Sequence, residues 1–176
     1  MKRTRVVVDA TVLIVLAKLR RLGLLKTLYG NILIGPVVKT EVVDEGRRIR
    51  AAGVELVEQA INEGWLVVVR PNRAEQALSR RLSRVTRLDD GESEAIALSH
   101  HRQLLLVVDD KEARHTAGML GIQYLGTAGV LLQAYRKRHL TIAELEDAVH
   151  DLTRVLWLSP EVVTSILRAA RQEERR

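Results

Sequence analysis

Three runs of β-branched residues and leucine set the terms on which this chain can fold: Val6-Val7-Val8, Ile32-Leu33-Ile34 and Leu104-Leu105-Leu106-Val107-Val108. None of them alternates apolar with polar residues. Each therefore predicts a strand covered on both faces, as in a parallel sheet. Each also stops abruptly, at Asp9, at Gly35-Pro36 and at Asp109-Asp110 respectively. Residues 65–69, closed by Pro71, predict a further strand, and residues 122–125 a last one. The intervening segments read as helices: 11–18, a helix or turn around Leu22 to Leu28, 36–45 stopped by Gly46, 54–62, 74–84, 92–101 after an Asp90-Gly91 turn, and 111–120. Thr127 is expected to cap a helix reaching Arg138, and residues 141–176 to form two more helices split at Ser159-Pro160. Strands alternating with helices predict an α/β fold with a central, mostly parallel sheet and right-handed crossovers.

Of the 176 residues 47% are apolar, enough to bury a core without staples. There is no cysteine, which excludes disulfide scaffolds, thiol catalysis and sulfur-based metal sites, and fits a reducing, cytoplasmic setting. Charged residues make up 28%, and no apolar run approaches the roughly 20 residues that span a bilayer, so no membrane partner is expected. The basic residues 1–5 before an apolar stretch imitate a secretory signal. Asp9 interrupts that stretch and Lys18 and Arg20 close it, so it is read as structure. The net charge of +6 is concentrated at the front: residues 1–50 carry eleven Lys/Arg against four Asp/Glu, and the remainder seventeen against eighteen. Such a footprint favours a polyanion, although a soluble surface needs no more than this. With three Tyr, two Trp and no Phe, an aromatic base-stacking sheet is not expected, and the backbone of a nucleic acid is what the chain should grip.

The acids at the strand ends are the candidate chemistry. Parallel strands bring their carboxyl ends to one edge, which is where open α/β sheets bind ligands. Asp9 and Asp109-Asp110 are thus expected to be neighbours across a hundred residues, joined by Glu41 from the helix after Pro36 and by Glu92 after Asp90-Gly91. Several carboxylates in one pocket repel one another unless protons or a cation intervene. A hard divalent cation such as Mg²⁺ relieves the conflict and prefers oxygen donors. The chemistry this suits is hydrolysis of a phosphodiester. Each acid taken singly has a plain structural role open to it, as a helix cap or a first-turn partner of the helix dipole.

The order of these segments resembles the PIN-domain family, nucleases that include the VapC-type toxins. The resemblance is carried by residues 6–14 (VVVDATVLI), 37–42 (VVKTEV), 88–98 (LDDGESEAIAL), 105–110 (LLVVDD) and 126–131 (GTAGVL), over roughly residues 5–130, and is nearest to an uncharacterised prokaryotic PIN subfamily. It implies a three-layer PIN-like domain over residues 1–135 with a helical extension, 136–176, packed on it. It implies Mg²⁺ (or Mn²⁺) held by Asp9, Glu41, Glu92 and one or both of Asp109 and Asp110, with Asp110 favoured over Asp109 and Glu92 over Glu94 by the family spacing. Thr11 matches the hydroxyl residue beside the first acid. RNA is the implied substrate, and a small antitoxin and a homodimer are the implied partners. The alternative is a non-catalytic PIN-fold module that binds nucleic acid or protein. A phosphate-accepting receiver-like domain is disfavoured, because Ala10 and Thr11 stand where a second acid is needed.

Basic residues outside the acids, namely Arg80, Arg84, Lys111 and Arg114, are candidates for holding the RNA backbone, with a solvated helix face as the alternative for the arginine-rich stretch. Gly126-Thr127-Ala128-Gly129 lacks a phosphate-loop pattern. His100-His101 diverge on a helix and make a poor metal pair, and the histidines are read as surface groups.

Overall fold

A computed structural model describes residues 5–174 of the chain. Five strands form one sheet: β1 (Val6–Val8), β2 (Ile32–Ile34), β3 (Leu66–Val68), β4 (Leu105–Val107) and β5 (Tyr124–Leu125). Their order is β3-β2-β1-β4-β5, and every neighbouring pair is parallel. The helices are α1 (Ala10–Lys18), α2 (Gly23–Tyr29), α3 (Pro36–Lys39), α4 (Gly46–Arg48), α5 (Val54–Asn62), α6 (Arg73–Val85), α7 (Asp90–Arg102), α8 (Lys111–Met119), α9 (Thr127–Arg136), α10 (Ile142–Val155) and α11 (Pro160–Glu174), with a π-helical turn, Thr40–Glu45, between α3 and α4.

The solid apolar strands have the cause the sequence suggests. Successive side chains of a strand point to opposite faces, and here both faces carry a core. Val6, Val8, Ile32, Ile34 and Val107 join Leu13 and Leu16 of α1, Leu25 of α2, Val57 of α5 and Leu131 of α9. Val7, Leu33, Leu106 and Val108 pack on the other face with Leu82 of α6, Ile96 and Leu98 of α7, and Ala113 and Ala117 of α8. The result is a three-layer α/β fold. Leu145, Val149 and Leu152 of α10 and Ile166 and Ala170 of α11 extend the first core. The Tyr135 hydroxyl ties α9 to α11 by donating to the Ala170 carbonyl at 3.1 Å. At about 1.5–3 kcal/mol for each large side chain fully buried, these two cores supply the driving force of the fold.

The strand order fixes where a site can form. From β1 the chain builds outward through β2 and β3, then returns to β4 on the other side of β1. The crevice beyond the carboxyl ends of β1 and β4 is the switch point of the sheet. The Asp9 N–H donates to the Val107 carbonyl at 3.0 Å, so the residues just past these two strands are held side by side.

Two ion-pair and capping devices lock α7 into place. Glu75, only 1% exposed, closes a capping box with Asn72 at the start of α6 and receives a forked pair of hydrogen bonds from Arg102 of α7, at 2.7 and 3.1 Å. Leaving that carboxylate without its arginine would cost about 3–5 kcal/mol. Glu94, 6% exposed, accepts from the Val37 N–H at 3.0 Å and so serves the open N-terminus of α3. Its carboxyl fills the space beside Gly35, where a Cβ would lie 1.8 Å from Glu94 Oε2. Gly35→Ala should therefore evict a buried carboxylate and destabilise the protein by about 2–4 kcal/mol, read as a lower midpoint in urea unfolding.

Three local expectations are corrected. The helix from Pro36 passes through Gly46 and ends at Arg48. Gly46 is buried with an ordinary helical φ of −56°, and a Cβ there would meet Val54 Cγ2 at 2.7 Å, so it serves close packing of α5 and not helix termination. Asp90-Gly91 is the first turn of α7 and not a separate turn, because Asp89 and Glu92 form a capping box that starts the helix two residues early. Gly126, and not Thr127, occupies the cap position of α9, and Thr127 instead donates its N–H and its hydroxyl to Asp109 across the sheet edge.

Candidate active site

Each acid reaches the switch point on an element the sequence dictates. Asp9 ends β1 and caps α1, its Oδ2 accepting from the Thr11 N–H at 3.2 Å, and it is 2% exposed. Asp109 and Asp110 end β4. Asp109 accepts from the Thr127 N–H at 2.8 Å through one oxygen and from the Thr127 hydroxyl at 2.5 Å through the other. Asp110 caps α8, its Oδ1 accepting from the Ala113 N–H at 2.8 Å. Glu92 lies in the first turn of α7 and accepts from the Asp89 N–H at 3.0 Å, while Asp89 accepts from the Glu92 N–H at 2.7 Å.

Glu41 arrives differently. It sits in the π-helical turn, a widening that recurs at functional sites in helices. Its carboxylate is laid against the first turn of α7: a Cβ on Gly91 would stand 2.7 Å from Glu41 Oε2 and 2.8 Å from Oε1. The missing side chain at position 91 is what allows that approach.

The electrostatics show that these groups share one field. Burial, chiefly, pushes the Asp9 carboxyl up to about 6, with Asp89 and Asp109 adding repulsion. Burial also pushes Glu41 up to about 7, and the charges acting on it are the carboxylates of Asp89, Asp9, Glu45 and Glu94. Glu92 is likewise pushed up to about 7 by burial, against the Asp89 N–H that favours its anion, with repulsion from Asp89, Asp110 and Asp9. In all three burial is the largest push, and repulsion from neighbouring carboxylates adds to it.

Two clefts open on this crevice. One, of about 340 Å³, is lined by Asp9, Thr11, Glu41 and Asp89. The other, of about 740 Å³, is lined by Thr11, Glu92, Asp109, Asp110, Lys111 and Arg114. Thr11 borders both. As the side chains stand, no group of three or more acidic or histidine side chains among the described residues is arranged to hold one ion. Asp9, Asp89, Glu92, Asp109 and Asp110 each turn an oxygen to a backbone N–H. The structural and the chemical readings of these acids thus hold together: the caps fix the backbone at which the carboxyls gather.

The donor set nevertheless fits a hard divalent cation. It is all oxygen, it is repulsive on its own, and Asp9, Glu92 and Asp110 each spend only one of two carboxyl oxygens on a cap. Asp109 spends both on Thr127, which leaves Asp110 the better placed of the pair. Glu94 is turned away to α3, which separates it from Glu92. Asp89 is the acid that sequence reasoning did not assign. Its signal was present in the Asp-x-x-Glu spacing of a capping box, which puts both acids at the same helix start. Lys111 and Arg114 line the larger cleft, whereas Arg80 and Arg84 are exposed on α6 and line neither. All five histidines are exposed.

Among the described residues no helix is long and apolar enough to cross a membrane. A search of curated proteins finds no match. A family model described as a PIN domain matches residues 5–172, which takes in all five strands, every acid of the crevice and most of α11. With that match and this wholly parallel three-layer sheet, the chain belongs to the PIN-domain family and carries a nuclease-type fold.

Proposed function

We propose that this protein is a divalent-metal-dependent endoribonuclease that hydrolyses RNA phosphodiester bonds, with Mg²⁺ or Mn²⁺ as its ion. The observation that carries the reading is the crowding of carboxyls from four separate stretches of chain at the switch point, three of them raised to about 6 or 7. The charges that weigh most on these three carboxyls are other carboxylates, although Lys111 and Arg114 border the larger cleft and Lys18 the smaller. Asp9, Glu41, Glu92 and Asp110 would hold the ion, with Asp89 and Asp109 shaping the field around it. When bound, the ion neutralises charge on the scissile phosphate and makes an attacking water more acidic. The protein's own part is positioning. Lys111 and Arg114 border the larger cleft, where they can pair with phosphates on either side of the bond to be cut. Thr11, exposed at the start of α1, stands between the two clefts and can donate a hydrogen bond to a phosphate oxygen there.

A toxin role, with a small antitoxin, a homodimer and a cytoplasmic setting, belongs to the same proposal and rests on the resemblance to the VapC-type toxins alone. The caps at Asp9, Asp89, Glu92, Asp109 and Asp110 favour a second reading, a PIN-fold module whose acids are purely structural. One assay separates the two. The wild-type chain with Mg²⁺ should degrade single-stranded RNA, and EDTA should stop it. RNA that stays intact with Mg²⁺ and with Mn²⁺ would leave the structural reading standing.

A further inference from the structure

α10 ends at Val155 and α11 begins at Pro160, so a short connection carries the chain past the larger cleft. Its alternation is telling. Leu156 and Leu158 are partly buried against the first core, while Trp157 between them is 84% exposed, the most exposed large apolar side chain among the described residues. The two leucines anchor the connection and the fold makes no use of the indole. Yet Trp157 lines the same cleft as Glu92, Asp110, Lys111 and Arg114.

We infer that Trp157 is a stacking platform for one unpaired base of the RNA, next to the phosphate that the acids receive. The inference rests on the nuclease reading and deepens it, because it assigns one side chain to hold an unpaired base beside the cut. A base inside a duplex has both faces covered, while an unpaired base offers a face that an aromatic ring can take up. The surroundings favour RNA over a protein partner. Val155 and Val162 have some exposure of their own, but the cleft that Val162 and the indole line also holds two cations and four acids, and the centre of a protein interface is depleted of charge. Lys111 and Arg114 supply what a phosphate backbone needs within the same cleft. The scarcity of aromatics that speaks against a stacking sheet does not bear on this arrangement. The sheet is buried on both faces, and the platform is a single ring on a connection between helices.

The test is binding of octaadenylate in the presence of Mg²⁺, on an Asp9→Asn background so that the probe survives. Trp65 is 8% exposed, so quenching of tryptophan fluorescence in the parent reports mainly on Trp157, and the anisotropy of fluorescein-labelled octaadenylate reads binding by parent and variants alike. Trp157→Ala should weaken octaadenylate binding about 5- to 100-fold. Trp157→Phe should stay within a few-fold of the parent. An abasic ribose-phosphate octamer and an eight-base-pair RNA duplex should bind parent and Trp157→Ala alike. Equal affinity of Trp157→Ala and parent for octaadenylate overturns the inference, and if the wild type still degrades RNA in an EDTA-sensitive way the nuclease reading survives it. If Trp157→Ala converts a dimer to a monomer and leaves octaadenylate binding untouched, the indole is a contact between copies of the chain and the inference is overturned. Absence of both binding and cleavage in the wild type removes the inference and the nuclease reading together.

Discussion

Asp9→Asn should leave a folded protein that no longer degrades RNA. The substitution keeps the side-chain shape and the oxygen that caps α1, and asparagine is as good a cap as aspartate. What it removes is one negative charge in a place that is 2% exposed. In a metal-loaded site that charge helps to hold the ion and, through it, the charge building on the phosphate. A loss of several kcal/mol of such stabilisation is about 10²- to 10³-fold in rate. The stability effect has the opposite sign. The Asp9 carboxyl titrates near 6 because its anion is poorly solvated and faces Asp89 and Asp109. A neutral side chain removes that conflict, so metal-free Asp9→Asn should melt at or above the wild-type temperature at pH 7.5. The pair of measurements is an RNA degradation assay at matched Mg²⁺ and a thermal melt in EDTA. Wild-type cleavage rates in the variant would take Asp9 out of the site. A large drop in melting temperature would make Asp9 a structural cap first and a ligand second.

How much of this was legible in the sequence depends on whether the signal was local. β1, β2 and β4 were readable because a run such as Val6-Val7-Val8 suits only a strand buried on both faces, and the layers confirm that cause. The nearness of Asp9 to Asp109 was readable for a topological reason, since parallel strands put their ends on one edge. Gly46 misled, because a glycine that stops a helix and a glycine that admits a neighbouring Val54 look the same in one dimension. The π-helical turn under Glu41 left no pattern, as it depends on the packing of the whole segment and not on residue type. The relation of Gly91 to Glu41 spans fifty residues and exists only once α7 lies against the helix that follows Pro36. Glu92 and Glu94 could not be ranked by periodicity, whereas the structure separates them by what each carboxyl binds, Asp89 for one and Val37 for the other. In sequence Trp157 belongs to an apolar C-terminal stretch suited to covering the core or to a dimer face, and the structure leaves it 84% exposed at the cleft that Glu92 and Asp110 line.

The same electrostatics predict that the metal-free protein loses stability as pH rises toward neutrality. Asp9, Glu41 and Glu92 all bind their protons more tightly in the folded state than in the unfolded chain, with native values of about 6, 7 and 7 against 3.8, 4.5 and 4.5. Between roughly pH 4.5 and 7 the folded protein therefore carries more protons than the unfolded one, and stability must fall through that interval. The carboxylates held below their usual range, among them Glu75 under Arg102 and Glu63 beside Lys26, act the other way only at lower pH, where they begin to protonate. A comparison of pH 5.5 with pH 7.5 thus reads the crevice together with Glu94, whose carboxyl burial also pushes up. Because Glu41 and Glu92 are partly solvated, the summed effect is discounted to about 2 kcal/mol, which for a chain of this length is a melting temperature about 4–8 °C higher at pH 5.5 in EDTA. Mg²⁺ should reverse the trend, since an ion held by these carboxyls would compete with protons for the same oxygens. Saturating Mg²⁺ should raise the melting temperature at pH 7.5 and change it little at pH 5.5, and Glu41→Gln should flatten the metal-free pH dependence. A melting temperature that is level across this interval and indifferent to Mg²⁺ would mean that solvent already satisfies these carboxyls. The crevice would then have no vacancy of charge for an ion to fill.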